Sequence, residues 1–437
     1  DAAQLDAEYW VRRLAKPSKL VMAPAGIAAQ NKLLQQRDPS LNDIWSLPAS
    51  LPAGTVRAWI TSLSQLPTKP LWDQQGVAVD KTALDTIADS VALDAVPDSQ
   101  PARYGLVVAR ANLRSFPTRL RVFNSHDNTD IDRFQESALF PGTPVVLAHE
   151  SRDRQWWFVV SPLYAAWIEK TFVAEGSRDE VFAYANRTPT LVVTGPTVQT
   201  VFTPEQPGVS QLKLDMGVRV PLLTDWPAGR PVNGQNPYSA QVIQLPIRAA
   251  DGSLQLVPAL VPRNADVAPD YLPMSKANIL RQSFKFLGER YGWGHDYDGR
   301  DCSGFVSEVY RSLGVQLPRN SHAQGVSPAL NRIEFTEASD HVSRFAAIRK
   351  LQVGDLIYIP GHVMMVIGYD HGMPYVIHDT TGASYRDSKG EITHVVLNAV
   401  SVTPLTPLLF NQTQSYIDRM YSIQRIRPVT RSPKANK

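Results

Sequence analysis

The sequence predicts a multidomain protein, with small all-β barrels in the middle of the chain and an α+β domain at its C-terminal end. Three observations predict this. The 437 residues exceed one ordinary domain, which runs to about 100–200 residues. Short β-rich runs separated by turn residues fill the stretch from Tyr104 to Val261. From Ser275 the apolar spacing becomes helical and then gives way to strands, the pattern of an α+β domain.

Residues 1–100 read as an extension that wraps over the other domains. Helices are expected from Asp6 to Leu14 and from Thr82 to Ala92, and Pro24, Pro39, Pro48, Pro52, Pro67 and Pro70 are expected to break the chain between them. Residues 101–175 form the first barrel, on the runs Gly105–Ala109, Pro144–Ala148, Trp156–Val160 and Tyr164–Ile168. Residues 176–270 form a second, on Thr190–Thr194, Val218–Leu223, Ala240–Leu245 and Leu254–Val257. Residues 271–437 form the α+β domain. Ser275 is placed to cap a helix whose apolar face is Ile279, Leu280, Phe284 and Leu287. A second helix carries Phe305, Val306, Val309, Tyr310 and Leu313 on one face. Strands follow at Asp355–Ile359, His362–Ile367 and Tyr375–His378, and Arg431–Lys437 is expected to fray.

Composition excludes several classes. Hydrophobic residues at 43% and charged residues at 19% describe a folded chain, not a disordered one. A net charge of +3 gives no case for nucleic acid as a partner. No run of 18 apolar residues exists, so no transmembrane segment is expected. The chain begins at Asp1 without a signal-peptide pattern, from which a mature or trimmed form is expected.

Cys302 is the single cysteine and cannot form an intrachain disulfide. It falls in the first turn of the second helix, where unpaired N–H groups and the helix dipole are expected to lower a thiol's pKa. A thiolate nucleophile needs a base and a group that orients the base. Seven of the nine histidines follow residue 290. His362 opens a strand after Pro360-Gly361 and His378 ends the next, so adjacent antiparallel strands would bring both rings near Cys302. His362 would then be the base and His378 the group that fixes its tautomer.

Five motifs in order carry a resemblance: Tyr291-Gly292-Trp293-Gly294, Asp301-Cys302-Ser303-Gly304-Phe305, Leu317-Pro318-Arg319-Asn320-Ser321 with Gln324, Gly354-Asp355-Leu356, and His362-Val363. Residues 275–385 resemble the NlpC/p60 cysteine peptidases of bacterial cell walls. The resemblance implies a papain-like α+β fold, with Cys302 as nucleophile, His362 as base and His378 as third member. It implies a substrate groove lined by Asp301, Ser303, Tyr291 and Ser321, with Asp301 placed to bind a substrate ammonium. The chain departs from the family where the usual Gly-Gly reads Gly294-His295, followed by an extended loop, Asp296 to Arg300. The upstream part resembles a subgroup with two bacterial SH3-like barrels, which implies that Tyr164 closes one end of the groove and that Glu136 meets the substrate's free amine.

The implied function is cleavage of the γ-D-glutamyl–diamino acid bond of peptidoglycan-derived peptides with a free N-terminal L-Ala. The implied setting is the bacterial cell envelope, periplasmic or exported, or a cytoplasmic recycling route. No cofactor and no metal are implied, and a monomer is expected. Three rivals stand beside this reading. One is a metal hydrolase using His362, Asp370, His371, His378 and Asp379, although no His-Glu-x-x-His run exists. The others are a non-catalytic peptidoglycan-binding protein and an amidase or acyltransferase using the same thiol.

Overall fold

The computed structural model describes residues 2–428, so Arg431–Lys437 lie outside the described residues. Two compact units divide the chain: Asn42–Asp270 with Gly292–Asp298, and the residues up to Leu41 with Tyr271–Tyr291 and everything from Gly299 onward.

In the first unit a seven-stranded antiparallel sheet runs in the order Gln135–Leu139, Ala111–Arg114, Ala165–Glu169, Trp156–Val160, Pro144–Glu150, Arg103–Val107, Val173–Gly176. Its central strands are buried on both faces, which explains their continuous apolar runs. One face packs Val145, Leu147, Val159 and Ile168 inside the barrel. The other packs Val146, Phe158, Val160 and Trp167 against Ile44, Val56, Ile60 and Ile87 from residues 42–100. A second β-rich region follows, with Thr190–Val193 between Arg219–Pro221 and Val267–Ala268, and a long hairpin of Ala240–Arg248 with Leu254–Pro262. Leu191, Val193, Val220, Ile243 and Val261 fill its core. The loop Gly292–Asp298 packs in this unit: Trp293 Nε1 donates to the Gln135 carbonyl at 3.1 Å, and Gln135 Nε2 donates to the Gly294 carbonyl at 2.9 Å. His295, standing where the resemblance expects glycine, takes a left-handed φ of 63°.

The second unit begins with helices α1 (Ala7–Val11) and α2 (Pro24–Arg37). Pro24 was expected to break the chain, but it opens α2 and Pro52 directly precedes the helix Ala53–Leu63. Proline lacks only an N–H that the first helical turn leaves unbonded anyway, so it starts these helices instead of ending them. Trp10 of α1 is 1% exposed and lies 5.3 Å from the Tyr375 ring, above Gly368. Asn31 of α2 donates to the Gly314 carbonyl at 2.8 Å and accepts from Gln316 N–H at 3.0 Å. This N-terminal stretch thus packs on the α+β domain.

That domain contains α3 (Lys276–Phe284), α4 (Cys302–Ser312), α5 (Ser321–Val326) and α6 (His341–Ile348). Its strands are β1 (Asn331–Glu334), β2 (Leu356–Ile359), β3 (His362–Asp370), β4 (Met373–Arg386), β5 (Ile392–Pro404) and β6 (Ser422–Arg425). The antiparallel sheet has the order β1-β6-β2-β3-β4-β5. Ser275 caps α3 as expected, accepting from Asn278 N–H at 3.2 Å. β3 and β4 are joined at His371-Gly372, whose φ values of 47° and 80° suit a tight hairpin turn. The sequence reading ended the second of these strands at His378, but β4 continues to Arg386 and pairs along its length with β5. The polar residues after His378 hid this extension from a pattern of apolar alternation.

Candidate active site

Cys302 is the first residue of α4. Asp301 caps the helix, its Oδ1 accepting from Gly304 N–H at 2.8 Å. Phe305, Val306, Val309, Tyr310 and Leu313 are each at most 1% exposed, so this face is locked into the core at about 1.5–3 kcal/mol per fully buried large side chain. Arg300, 1% exposed, reaches Glu308 Oε2 at 2.6 Å and Glu289 Oε1 at 2.7 Å. It ties the residues before Cys302 to the body of α4 and to the segment after α3. Arg319 grips Asp301 with two bonds, at 3.1 and 2.8 Å, and also donates to Ser303 Oγ at 3.0 Å. Gln324 joins α4 to α5, donating to the Ser303 and Pro318 carbonyls and to Ser307 Oγ.

The sheet supplies the histidines. His362 opens β3 and His378 lies on the adjacent β4, with His362 Nε2 2.8 Å from His378 Nδ1. His378 Nε2 lies 2.9 Å from Thr403 Oγ1 on β5. Three neighbouring strands therefore present Thr403, His378 and His362 in a line. One set of neutral tautomers fits it and leaves His362 Nδ1 unprotonated: His362 Nε2–H donates to His378 Nδ1, and His378 Nε2–H donates to Thr403 Oγ1. Val363, next to His362, contributes a backbone hydrogen bond to the Cys302 thiol.

The electrostatics correct one expectation. Burial pushes the Cys302 thiol up to about 12, Asp301 and Asp379 push the same way, and the Val363 bond and Arg319 oppose them. Desolvation outweighs the helix N-terminus because Cys302 is only 7% exposed, with two carboxylates nearby. Burial also lowers His362 to about 4. His378 falls well below the usual histidine range, through burial and then through His362. At rest the thiol and both imidazoles are neutral. Burial, with Cys302, Asp301 and Asp379 nearby, raises the Tyr291 phenol above its ordinary range, so it stays a hydrogen-bond donor.

The structure brings Cys302, Asp301, Ser303, Tyr291, His362 and His378 together in one unit. Ser321 sits half-buried at the start of α5. Asp301 is engaged by the helix cap and by Arg319, so an incoming ammonium would share it. Tyr164 and Glu136 lie in the other unit and meet each other, the Tyr164 hydroxyl donating to Glu136 Oε2 at 2.5 Å. The proposed metal ligands do not converge: Asp370 accepts from Gln4 at 2.6 Å, and the His371 side chain is 96% exposed. Among the described residues, no group of three or more His, Cys, Asp or Glu is arranged to hold a metal ion.

Sequence reasoning missed three residues. Arg300 was visible only as a neighbour of Cys302, and its two glutamates, eight and eleven residues away, lie at no spacing that signals a pair in the sequence. Thr403 lies on a strand the reading did not place. Asp379 was weighed only as a metal ligand. It is fully buried with neither carboxylate oxygen hydrogen-bonded, and desolvation, then Asp301 and Glu289, raise its pKa well above the usual carboxylate range against the pull of Arg300.

Residues 288–401 match the NlpC/P60 family, a span that holds Cys302, His362 and His378. The chain carries an NlpC/P60 domain. Residues 121–169 match an SH3 domain of the SH3b1 type. The probable endopeptidase p60 of Listeria seeligeri is 32% identical over 116 residues, which are 26% of this chain and 22% of that one. The gamma-D-glutamyl-L-lysine dipeptidyl-peptidase of Bacillus cereus (strain ATCC 10987 / NRS 248) is 29% identical over 202 residues, 44% of this chain and 50% of that one. The chain thus spans about a fifth of the first relative's length and half of the second's. The solved structure of an NlpC/P60 endopeptidase from Photobacterium damselae subsp. piscicida shares the fold, with a TM-score of 0.74 at 17% identity over 96% of both chains.

Proposed function

We propose that the protein is a cysteine peptidase that cuts the γ-D-glutamyl–diamino acid bond of peptidoglycan-derived peptides bearing a free N-terminal L-Ala. The observation that carries the reading is the hydrogen-bonded line from Thr403 through His378 to His362 on the strands beside Cys302. His362 Nδ1 removes the Cys302 proton as sulfur attacks the γ-carbonyl carbon, so formation of the C–S bond offsets the cost of ionising a buried thiol. The oxyanion is stabilised by the Cys302 N–H, which has no partner within the helix, and by the Tyr291 hydroxyl. The C–N bond then breaks, and protonated His362 delivers its proton to the leaving amine. Water, deprotonated by His362, attacks the thioester, releases L-Ala-γ-D-Glu and restores the thiol.

The barrel of residues 101–175 would set the substrate's length. On the barrel, Tyr164 and Glu136, bonded to each other, are the candidate acceptor for the free ammonium. The relative from Bacillus cereus, named for a γ-D-glutamyl-L-lysine activity, supports this class of bond. The SH3b1 match supports a protein that works on the cell wall at the envelope. Mass spectrometry of two digests tests the reading. Release of the diamino acid from free tripeptide, with intact sacculi untouched, supports it; equal cleavage of both removes the requirement for a free amine.

A further inference from the structure

Gly292–Asp298 lies between Tyr291 and Arg300-Asp301-Cys302 in the chain, yet it folds with the barrel unit. Its two flanks meet in the α+β domain. Tyr291 and Arg300 pair as a parallel bridge, and Tyr291 N–H donates to the Asn398 carbonyl on β5 at 3.1 Å. Arg300 is fixed in turn by Glu289 and Glu308. The segment is therefore a closed loop whose ends stand at the nucleophile and whose middle packs on the barrels. It has no part in the chemistry above.

The backbone of this loop is strained. Gly294, His295, Tyr297 and Asp298 have φ values of 58°, 63°, 57° and 57°, in the left-handed region that residues other than glycine rarely take. Such a run persists only where its surroundings impose it. A Cβ on Gly294 would come 3.0 Å from the Glu136 carbonyl carbon, so the loop lies flush on the strand Gln135–Leu139. The buried His295 ring stands edge-on to Phe140 with centroids 5.7 Å apart, and the His295 carbonyl accepts from Arg110 at 2.9 Å. Glycine here would take the same φ freely but would leave the loop without this anchor. Lys213 donates to Asp298 at 2.5 Å. Arg121 holds two loop residues at once: it donates to the buried Asp296 carboxylate and, at 2.8 Å, to the Tyr297 hydroxyl, with its guanidinium 4.7 Å from the Tyr297 ring centre. Asp132, 3.7 Å from Arg121, has its own partner in Arg114 at 2.6 Å. Loss of Arg121 would therefore fall on the loop.

We propose that Arg121 is a positioning residue: by holding Asp296 and Tyr297 on the barrel it keeps the loop in its strained form and, through the loop, keeps the Tyr291 hydroxyl where the oxyanion forms. The assignment rests on the cleavage proposed above. The test measures kcat and KM on L-Ala-γ-D-Glu-diaminopimelate and its L-lysine counterpart. Arg121→Met should lower kcat by about 10- to 100-fold, the effect of displacing a group by up to about 1 Å, with KM unchanged. Arg121→Lys keeps the charge and one bond and should recover part of the loss. Arg121→Met added to Tyr291→Phe should cost nothing further, because the first acts through the second. Amide hydrogen exchange over residues 292–298 should quicken in Arg121→Met and not in Tyr291→Phe. Should Arg121→Met fold poorly, Asp296→Asn breaks the same pair with less change of shape, and the same outcomes are expected. Full kcat or unchanged exchange in Arg121→Met, or losses that multiply in the double variant, overturn the positioning role and leave the cleavage reading intact. A wild type that cuts neither tripeptide overturns the cleavage reading and the positioning role with it.

Discussion

The helix side and the sheet side of the site are held in opposite ways. Around the start of α4 the contacts are ionic: Arg300 with Glu289 and Glu308, and Arg319 with Asp301. On the sheet, His362, His378 and Thr403 are joined by hydrogen bonds between neutral groups. On the proposed mechanism, the difference follows from what each side would do. Cys302 must be held in place, and buried ion pairs with full hydrogen bonding fix geometry without titrating near neutral pH. The histidines must exchange a proton, and neutral groups in a desolvated setting keep His362 ready to accept one.

The largest effect should come from removing the pair that spans the two sides. Cys302→Ser should abolish turnover of the tripeptide, and His362→Ala should lower kcat by about 10²–10⁴-fold, with thermal melting unchanged. Activity retained by Cys302→Ser would end the account. On the helix side, Arg300→Met should remove the guanidinium that Glu308 meets at 2.6 Å and leave this buried carboxylate only the longer contact with Arg311 at 3.7 Å. A loss of about 3–5 kcal/mol in urea unfolding is expected; a loss below about 1 kcal/mol would mean that packing, not charge, places Cys302.

On the sheet side, Thr403→Val removes the acceptor at the end of the line and frees His378 to rotate or to change tautomer. A drop in kcat of roughly tenfold is expected, with KM unchanged and activity restored by Thr403→Ser. A change in KM alone would make Thr403 a packing residue. The last effect concerns Asp379 and shows only in the pH dependence of stability. Its folded pKa is raised, so the folded state binds more protons than the unfolded state above the ordinary carboxylate value, and stability falls as pH rises. Asp379→Asn removes that dependence. The melting difference between variant and wild type should grow from pH 5 to pH 8, by at most about 1.4 kcal/mol per pH unit. A constant difference would show that Asp379 stays ionised in the folded protein.

Local pattern made the Cys302 helix, the Ser275 cap of the helix before it and the two histidine strands legible in the sequence. The apolar spacing after Cys302 and the strand starts at His362 and Tyr375 are properties of short windows. Arg300, Thr403 and the continuation of β4 were not legible, because each depends on a partner brought close only by the fold: Glu308 and Glu289, His378, and β5. The thiol pKa, expected to be lowered and found raised, was misjudged for a related reason. The helix dipole can be read from Asp301-Cys302-Ser303, whereas burial of the sulfur and the presence of Asp379 cannot. The helices Pro24–Arg37 and Ala53–Leu63 were lost to a rule about proline that does not hold in a first helical turn.

The central claim is that Cys302 and His362 rest as a neutral pair and exchange a proton only during attack. The pH dependence of iodoacetamide alkylation tests this directly, because Cys302 is the single cysteine and every modified thiol is this one. The account predicts slow labelling at pH 7 and a rate that climbs about tenfold per pH unit to the alkaline limit of stability, with turnover lost in proportion to labelling. A fast rate that is flat from pH 5 to pH 8 would reveal a standing thiolate–imidazolium pair and contradict it.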